Sequence, residues 1–332
     1  MKEHEADFYE KRNAGNVQCR LCPHNCLIHS GKHGICGVRK NSGGTLISEI
    51  YGRLTSVAMD PIEKKPLYHF HPGSRILSIG TKGCNMKCPY CQNWHISQDR
   101  SARTTYYSSD DIVRMAEQEN SIGIAYTYSE PVIWYEYIRD TSLLAKEKNL
   151  KNVMVTNGFI NQEPLLKLLE CIDAMNIDLK SFREDTMFRV QKARLAEVLE
   201  AIKTAHRGGC HIEITTLVVT GINDDLNEMR DIIDFIASVD KNIPWHISRY
   251  YPNYKYDRQA TDVEFLVKVR DEAIRKLNHV YCGNVSADDP GHDTVCPSCK
   301  TIIIRRSGYS TRIEKLQGGR CSACGYDLGI IR

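Results

Sequence analysis

The sequence predicts an α/β protein built around a parallel sheet. Between residues 75 and 285, short apolar runs alternate with longer segments that are apolar at helical spacing. Six or seven βα units of this kind fit a barrel or an open, partial (β/α)6-type barrel. Cysteine-rich segments flank them. We therefore expect a Cys-rich metal-binding segment over 1–72, a core over 73–286, and a zinc-ribbon-like module over 287–332, which begins within the linker-like SADDPGHDT.

The predicted strands are short apolar runs. They cover 75–80, 123–128, 152–157, 174–179, 211–219, 244–250 and 279–285. Helices are predicted between them, beginning at Ser109 and Pro131 and covering about 162–170, 190–207, 225–239 and 262–278. Within 190–207, Leu195, Val198, Leu199 and Ile202 form a one-sided stripe, which indicates a face packed on the core.

Composition and charge are those of an ordinary globular protein. The 332 residues are 42% hydrophobic, and a net charge of +3 neither requires nor excludes an anionic partner. The first residues lack the apolar run of a signal peptide, and no segment is long and apolar enough to predict a membrane span. Fourteen cysteines in such a chain favour metal sites in a reducing compartment, so we expect a cytoplasmic protein.

Eleven of the cysteines fall into three groups. They are Cys19, Cys22, Cys26 and Cys36; Cys84, Cys88 and Cys91; and Cys296, Cys299, Cys321 and Cys324. The other three, Cys171, Cys210 and Cys282, are interpreted as small buried hydrophobic residues. The middle group has one thiol fewer than the four that closed metal sites use, which makes it the unusual one.

The middle group lies in TKGCNMKCPYCQNW, directly after a predicted strand. Three thiolates spaced C-x3-C-x2-C can hold three irons of a cubane cluster and leave the fourth iron open. A zinc site completed by His95, or thiols without metal, are the alternatives, but this is not zinc-ribbon spacing. An open metal position is where a substrate or cofactor can bind.

This loop, with Tyr90 before its last cysteine, resembles the signature of the radical S-adenosylmethionine (SAM) superfamily. Over residues 75–250 the chain resembles the branch that contains pyruvate formate-lyase activating enzymes. The resemblance implies a [4Fe-4S] cluster whose open iron is chelated by SAM. One electron then breaks the S–C5′ bond, and the 5′-deoxyadenosyl radical abstracts a hydrogen atom. It also implies an electron donor such as ferredoxin or flavodoxin.

The resemblance assigns cofactor-binding roles to side chains at successive strand ends. They are Tyr90 near the adenine, Tyr128, Ser129 and Glu130 supporting the methionine amino group, Asn157 at the end of strand three, Asp178 and Lys180 near the ribose and carboxylate, and His246 at the end of strand six. Two departures stand out. The second-strand motif is YSE instead of two glycines and a glutamate, and Val155 replaces the family's aspartate.

Longer motifs, including CRLCPHNC, GICGVRKN, PLYHFHPGS and ITTLVVTGINDD, resemble the AmmeMemoRadiSam subfamily. Its genes neighbour those of Memo-like and AMMECR-like proteins, which makes these proteins expected partners. This resemblance implies a cofactor and a chemistry, but it does not define a substrate.

The two flanking groups indicate further metal sites. The C-terminal cysteines form two C-x2-C pairs, which predicts structural zinc. The N-terminal C-x2-C-x3-C-x9-C pattern fits zinc, which we favour, or a second Fe-S cluster acting as an electron relay.

The neighbouring His24, His29 and His33 are interpreted as surface residues. Basic residues between the C-terminal pairs could bind RNA or an acidic partner, although a solvated hairpin face is the favoured interpretation: Arg305, Arg306, Arg312, Lys315 and Arg320.

Three functions follow from these observations. The first is a radical SAM enzyme that abstracts hydrogen from a macromolecule, either a protein, as glycyl-radical activases do, or RNA. The second is a radical SAM enzyme acting on a small metabolite. The third, a non-catalytic metal-stapled binding module, fits poorly with the intact three-cysteine loop. The sequence identifies no catalytic acid, base or radical relay.

Overall fold

The computed structural model describes residues 3–286 and 291–332, so residues 287–290 of the predicted linker lie outside the described residues. The first part is built from short antiparallel strands. They are β1 (His4–Glu5), β2 (Tyr9–Lys11), β3 (Val17–Cys19), β4 (Leu27–Ile28), β5 (Arg39–Ser42), β6 (Thr45–Ser48) and β7 (Arg53–Leu54). The first six of them form the three-stranded sheets β1-β6-β5 and β2-β3-β4. The turn from β3 to β4 carries the first cysteines and is closed by the Cys19 amide, which donates to the Cys26 carbonyl at 3.0 Å.

The main sheet has eight strands among the described residues, in the order β16-β15-β14-β13-β12-β11-β9-β8. The strands are β8 (Ser56–Pro61), β9 (Arg75–Gly80), β11 (Gly123–Tyr126), β12 (Lys151–Thr156), β13 (Ala174–Asp178), β14 (His211–Val218), β15 (Trp245–Arg249) and β16 (Val280–Gly283). From β9 to β16 every pairing is parallel, and β8 is added antiparallel at the edge. The short β10 (Thr105–Tyr106) pairs with β7 instead.

Helices connect the parallel strands. They are α1 (Trp94–Ser97), α2 (Ser109–Gln118), α3 (Tyr135–Glu147), α4 (Gln162–Leu169), α5 (Glu184–Thr186), α6 (Leu195–Arg207), α7 (Leu226–Asp240) and α8 (Val263–Ala273). Short 3-10 turns cover Asn13–Gly15, Ile62–Lys64 and Pro131–Trp134, and a π turn covers Met187–Gln191. None of the helices in the described part of the chain is long and apolar enough to cross a membrane.

The alternation of strands and helices predicted from the sequence is confirmed. All seven predicted strands are present, each within one or two residues of its predicted ends or slightly shorter. The helix predicted from 190 begins at Leu195, because the π turn precedes it and Lys192 adopts a left-handed conformation (φ 60°). Val198 and Ile202 are fully buried, which confirms the core-facing stripe.

The two faces of the sheet are covered differently. On one face, Met175 and Ile177 of β13 pack towards α4 and α6. On the other face, Ala125, Val153 and Ala174 near the strand beginnings pack against a segment over 62–70. That segment covers the beginnings of the strands, so polar side chains further along this face stay available for a site at the carboxyl ends.

The C-terminal part consists of β17 (Thr294–Val295), β18 (Ile302–Ser307), β19 (Ser310–Ile313), β20 (Leu316–Gln317) and β21 (Arg320–Cys321). It packs on the 62–71 segment, where the His71 amide donates to the Ile331 carbonyl at 2.7 Å. Arg306 is only 6% exposed and its guanidinium lies 4.1 Å from the ring centroid of Tyr68. The expectation of a solvated basic hairpin is therefore wrong for Arg306, because its charge lies against buried aromatic rings.

A buried ion pair joins the N-terminal part to the core. Arg39 and Glu136 are 1% and 0% exposed, with Nη2 and Oε1 2.9 Å apart, and Glu136 also accepts from the Asp7 amide. We expect Glu136→Ala to lower the free energy of unfolding by about 3–5 kcal/mol, because it leaves the Arg39 charge buried without its partner. Denaturant unfolding of the metal-loaded protein measures this. Lys167→Ala, which breaks the exposed Lys167–Glu163 pair, is the control and should change stability by less than ~0.5 kcal/mol.

His279 predicts a loss of stability in acid. It is 3% exposed, its ring centroid lies 4.3 Å from that of His69, and burial lowers its pKa from 6.5 to about 4. Below pH 6.5 the unfolded chain binds a proton at His279 that the folded chain takes up only near pH 4. The free energy of unfolding should therefore fall between pH 6.5 and about pH 4, by about 3 kcal/mol in total. Denaturant unfolding of wild type and His279→Gln from pH 7 to 4 measures this, because the variant lacks the part of the pH dependence that comes from protonation of His279. Exposed His29→Gln should keep the wild-type slope.

Candidate metal and cofactor site

The three-cysteine loop begins at the carboxyl end of β9. It turns at Gly83, whose φ of +94° few other residues adopt, and a side chain there would lie 2.8 Å from Val38 and 3.0 Å from the Cys36 carbonyl. The Met86 amide donates to the Cys84 sulfur at 3.3 Å, and the Ser97 hydroxyl lies 3.1 Å from the Cys91 sulfur. The loop is thus pressed onto the N-terminal part, and its sulfur atoms have hydrogen-bonding neighbours.

The sulfur spacing separates this group from the C-terminal one. Among residues 3–286 and 291–332, only the four C-terminal cysteines bring three or more ligand atoms within 4.8 Å of one another. Their sulfur atoms pair at 3.6 Å (Cys296–Cys324) and 3.7 Å (Cys299–Cys321). Tetrahedral zinc with Zn–S of ~2.3 Å requires about 3.8 Å between sulfurs. The C-terminal group therefore has single-ion spacing, whereas the wider spacing of Cys84, Cys88 and Cys91 suits a cluster of several irons.

Burial disfavours the thiolate form of these cysteines in the absence of a metal. It raises the pKa of Cys84 well above its ordinary value, and the nearby Glu130 carboxylate adds to the effect. Burial also raises the pKa of Cys88 to about 11, and the Lys180 charge partly opposes it. Thiolates in such surroundings need positive charge from bound metal, so metal binding here releases protons.

Glu130 follows β11 and is 3% exposed. Its carboxylate accepts from the Thr156 hydroxyl at 2.6 Å and from the amides of Val132 and Asn157 at 3.0 and 2.9 Å. Burial raises its pKa to about 7, although all three donors favour the ionised form. Glu130 therefore ties the end of β11 to the end of β12.

Asn157 extends this connection to the cluster loop. Its Nδ2 donates to Asn85 Oδ1 at 2.9 Å and lies 3.8 Å from the Cys84 sulfur. Asn85 in turn donates to the Phe159 carbonyl at 2.8 Å. The hydrogen bonds between these amide side chains thus place the end of β12 directly against Cys84, the first cysteine of the loop.

Asp178 is the last residue of β13 and Lys180 follows two residues later, with Lys180 Nζ 2.8 Å from Asp178 Oδ2. Burial opposes the charge of Lys180, but the Asp178 carboxylate and the Cys88 thiolate raise its pKa well above the ordinary value. The buried Tyr90 hydroxyl accepts from Gln191 Nε2 at 2.8 Å. The structure therefore brings Tyr90, Asp178 and Lys180 to the side of the loop that carries Cys88.

Tyr128 and Ser129 are placed differently from Glu130. Tyr128 adopts φ 69° and its hydroxyl donates to Asp60 of β8, and Lys65 Nζ bonds the same carboxylate at 2.7 Å. The Ser129 hydroxyl is buried without a hydrogen-bond partner in the described part of the chain. The sequence interpretation missed Asp60 and Lys65, since both precede the first parallel strand and no local motif marks them.

His246 does not lie where the sequence interpretation placed it. It is the second residue of β15, and its Nε2 lies 2.6 Å from Glu213 Oε2 in a buried network that includes Tyr68 and Tyr281. Hydrogen bonds from His246 and His211 outweigh burial and hold the pKa of Glu213 well below its ordinary value. The prediction that His246 ends its strand is therefore wrong, because it satisfies a buried carboxylate instead.

The remaining cysteines and histidines also have definite places. Cys171, Cys210 and Cys282 are buried, as predicted. The N-terminal cysteines lie on β3, in the β3–β4 turn and in the turn over 34–37, where a side chain on Gly34 would lie 3.7 Å from the Cys26 sulfur. His24 is not a simple surface residue: its Nε2 bonds the Asn85 carbonyl at 2.7 Å, and its ring packs on Phe159.

Comparison with known proteins explains why these features occur together. The family described as the radical SAM superfamily matches residues 78–236, which span β9 to α7 and include the whole three-cysteine loop. The chain belongs to the radical SAM superfamily. An uncharacterized protein of Methanocaldococcus jannaschii is 41% identical to it over 98% of this chain and 99% of its own length.

More distant relatives of this radical SAM protein have named activities. GTP 3',8-cyclase of Nautilia profundicola is 24% identical over 69% of this chain and 77% of its own length. Pyruvate formate-lyase 1-activating enzyme of Escherichia coli is 26% identical over 53% of this chain and 75% of its own length. Among solved structures, Streptococcus suis SuiB bound to precursor peptide SuiA matches with a TM-score of 0.51 at 15% identity. That match covers 68% of this chain and 51% of SuiB, and it supports the α/β fold alone.

Gly83 provides a test of how tightly the loop is packed. Gly83→Ala should lower stability by about 1–3 kcal/mol more than Gly209→Ala and release most of the iron bound at the loop. Both glycines have positive φ, but only Gly83 has neighbours within 4 Å of an added methyl. Unfolding experiments and iron analysis after anaerobic reconstitution measure the two effects. Equal losses of stability and of iron in the two variants would contradict the packing argument.

Proposed function

We propose that this protein is a radical SAM enzyme that cleaves SAM reductively and abstracts hydrogen from a macromolecular substrate, a protein chain. The cleavage of SAM is general to the superfamily. The observation that carries the proposal is the arrangement of the three-cysteine loop, Glu130, Asn157 and Lys180 at the carboxyl ends of neighbouring parallel strands. Cys84, Cys88 and Cys91 would hold the [4Fe-4S] cluster. When bound, the cluster supplies one electron to the SAM sulfonium, and the S–C5′ bond breaks.

The protein side chains have binding and shielding roles in this proposal. Lys180 would pair with the methionine carboxylate, and Asp178, already bonded to Lys180, would accept from the ribose hydroxyls. Glu130 would fix the methionine amino group through its remaining lone pairs. The buried Tyr90 ring would exclude water beside the adenine.

An exposed aromatic pair favours a large substrate. Trp94 and Tyr254 stack with centroids 5.3 Å apart and are 40% and 36% exposed. The Lys255 amide donates to the Pro89 carbonyl at 2.9 Å, which holds this pair beside the three-cysteine loop. Exposed, rigid aromatic rings are typical of surfaces that bind another chain. We favour a protein over RNA because a pyruvate formate-lyase activating enzyme is among the relatives. A small metabolite is the alternative, favoured by the GTP 3',8-cyclase relative.

Several finer assignments belong to the same proposal. We infer that the sheet curves into a partial (β/α)6-type barrel, and that segments 1–72, 73–286 and 287–332 act as separate modules. The C-terminal cysteines, with their single-ion spacing, would bind zinc in a ribbon-like module. We also propose that the protein works in a reducing cytoplasm and receives electrons from a ferredoxin or flavodoxin. Memo-like and AMMECR-like proteins are its proposed partners.

SAM cleavage tests the cofactor site directly. Anaerobically reconstituted protein with dithionite should form 5′-deoxyadenosine from SAM, and Cys88→Ala should abolish this. Lys180→Ala should weaken SAM binding about tenfold or more, corresponding to loss of one charge-assisted contact. The SAM-dependent change in the cluster's electron paramagnetic resonance (EPR) spectrum measures that affinity, with Lys167→Ala as the control. Absence of 5′-deoxyadenosine from wild-type protein would overturn the enzyme proposal.

The substrate class can be tested with deuterated cell lysate. Lysate fractionated by size is added to the reductant, SAM and enzyme, and deuterium in 5′-deoxyadenosine is measured by mass spectrometry. We expect deuterium from the high-mass fraction, and its loss after protease treatment but not after ribonuclease treatment. The opposite sensitivity would indicate RNA, and deuterium from the low-mass fraction alone would indicate a metabolite.

A further inference from the structure

The four N-terminal cysteines form a single convergent group. Cys19 and Cys26 face each other across the β3–β4 turn, and a side chain at Gly34 would lie 3.7 Å from the Cys26 sulfur. Cys22 lies in the β3–β4 turn itself, and Cys36 lies in a second turn that the Gly37 amide closes on the Gly34 carbonyl at 2.9 Å, so the four cysteines come from two turns that touch. The group is buried except for a half-buried Cys26.

The spacing of these sulfur atoms differs from that of the zinc-like C-terminal group. Within residues 3–286 and 291–332, the four C-terminal cysteines bring their sulfurs within 4.8 Å of one another, whereas no three N-terminal cysteines do. In this respect the group behaves like Cys84, Cys88 and Cys91, which belong to the superfamily's cluster loop. Thiolates at the corners of a cubane stand further apart than thiolates on one ion. The spacing therefore favours an iron–sulfur cluster over zinc.

A buried cation provides an independent observation. Arg39 is 1% exposed, and its Nε and Nη1 have no hydrogen-bond partner in the described part of the chain. The Arg39 carbonyl accepts from the Gly34 amide at 2.9 Å, so Arg39 lies beside the turn that carries Cys36. Unused donors on a buried cation are costly unless an anionic group accepts from them. A cluster held by four thiolates is such a group.

The N-terminal group also touches the three-cysteine loop. The Cys36 carbonyl lies 3.0 Å from the position of a side chain on Gly83, the residue before Cys84. On the other side, His24, two residues after Cys22, bonds the Asn85 carbonyl at 2.7 Å. A carbonyl only accepts, so His24 Nε2 carries the proton. Two short connections thus join the N-terminal group to Cys84 and Asn85.

We propose that Cys19, Cys22, Cys26 and Cys36 hold a second [4Fe-4S] cluster and form the electron entry to the cluster on Cys84, Cys88 and Cys91. A low-potential one-electron donor protein would approach at Cys26, where Leu27 and Ile35 are 54% and 40% exposed. The donor would lose one electron, which would reach the SAM sulfonium by way of both groups. The S–C5′ bond would then break to give methionine and the 5′-deoxyadenosyl radical. The relay role rests on the proposed SAM cleavage, but the metal assignment does not.

The metal assignment is tested in the full chain with Cys84, Cys88 and Cys91 all changed to alanine. After anaerobic reconstitution with iron, sulfide and zinc, we expect about four irons per chain. Dithionite should produce an EPR signal that SAM does not alter, because four thiolates leave no open iron. Zinc in place of iron, or iron that dithionite cannot reduce, would overturn the proposal.

A matched pair of variants controls for folding. Adding Cys22→Ala to the triple variant should abolish the iron signal, whereas adding Cys210→Ala, a buried lone cysteine, should preserve it. Retained zinc at the C-terminal group and an unchanged circular dichroism spectrum would show that both proteins are folded. Loss of iron from both variants alike would contradict the ligand assignment.

The relay role is tested with the three-cysteine loop intact. In a Cys19→Ala/Cys22→Ala variant, the ratio of ferredoxin-driven to dithionite-driven 5′-deoxyadenosine formation should fall at least about tenfold, equivalent to about 1.4 kcal/mol. An unchanged ratio would overturn the relay. If wild-type protein forms no 5′-deoxyadenosine with either donor, the proposed function fails, while the iron content of the triple variant still decides the metal assignment.

Discussion

The rest of the structure depends on the parallel pairing of the successive strands β9, β11, β12 and β13. Parallel strands in register bring their carboxyl ends to one edge, so segments far apart in sequence meet there. Hydrogen bonds then link these ends side by side: Glu130 accepts from the Asn157 amide, and Asn157 donates to Asn85 of the three-cysteine loop. The site is therefore held by backbone geometry and fixed by a short chain of buried polar contacts.

The structure also depends on how the opposite ends of the strands, their beginnings, are covered. The 62–70 segment packs its apolar side chains on the strand beginnings, and the C-terminal part closes over it through His71 and Ile331. Two of the buried charges in this region have partners: Glu213 takes bonds from His246 and two backbone amides, and Arg306 lies on Tyr68. Burial on this side leaves the strand ends as the region where polar groups remain available to bind a cofactor.

The three cysteine groups differ in the distance between sulfur atoms and in their surroundings. The C-terminal group is exposed at two of its four cysteines, and its sulfur atoms all lie within 4.8 Å of one another. The N-terminal group is more widely spaced, has a buried cation with unused donors, and touches the loop at Gly83 and Asn85. These differences in spacing, charge and surroundings are the basis on which we propose a structural role for the C-terminal group and electron transfer for the N-terminal group.

The sequence alone determined the βα alternation, the strand positions and the identity of the three-cysteine loop, because periodicity and cysteine spacing are local properties. Only the tertiary structure placed Asp60 and Lys65 beside Tyr128, His24 on Asn85, Arg306 on Tyr68, and His246 on Glu213 instead of at its strand end. Each of these contacts joins residues that are far apart in the chain. Which buried polar side chain satisfies which partner depends on packing, and no local pattern encodes it.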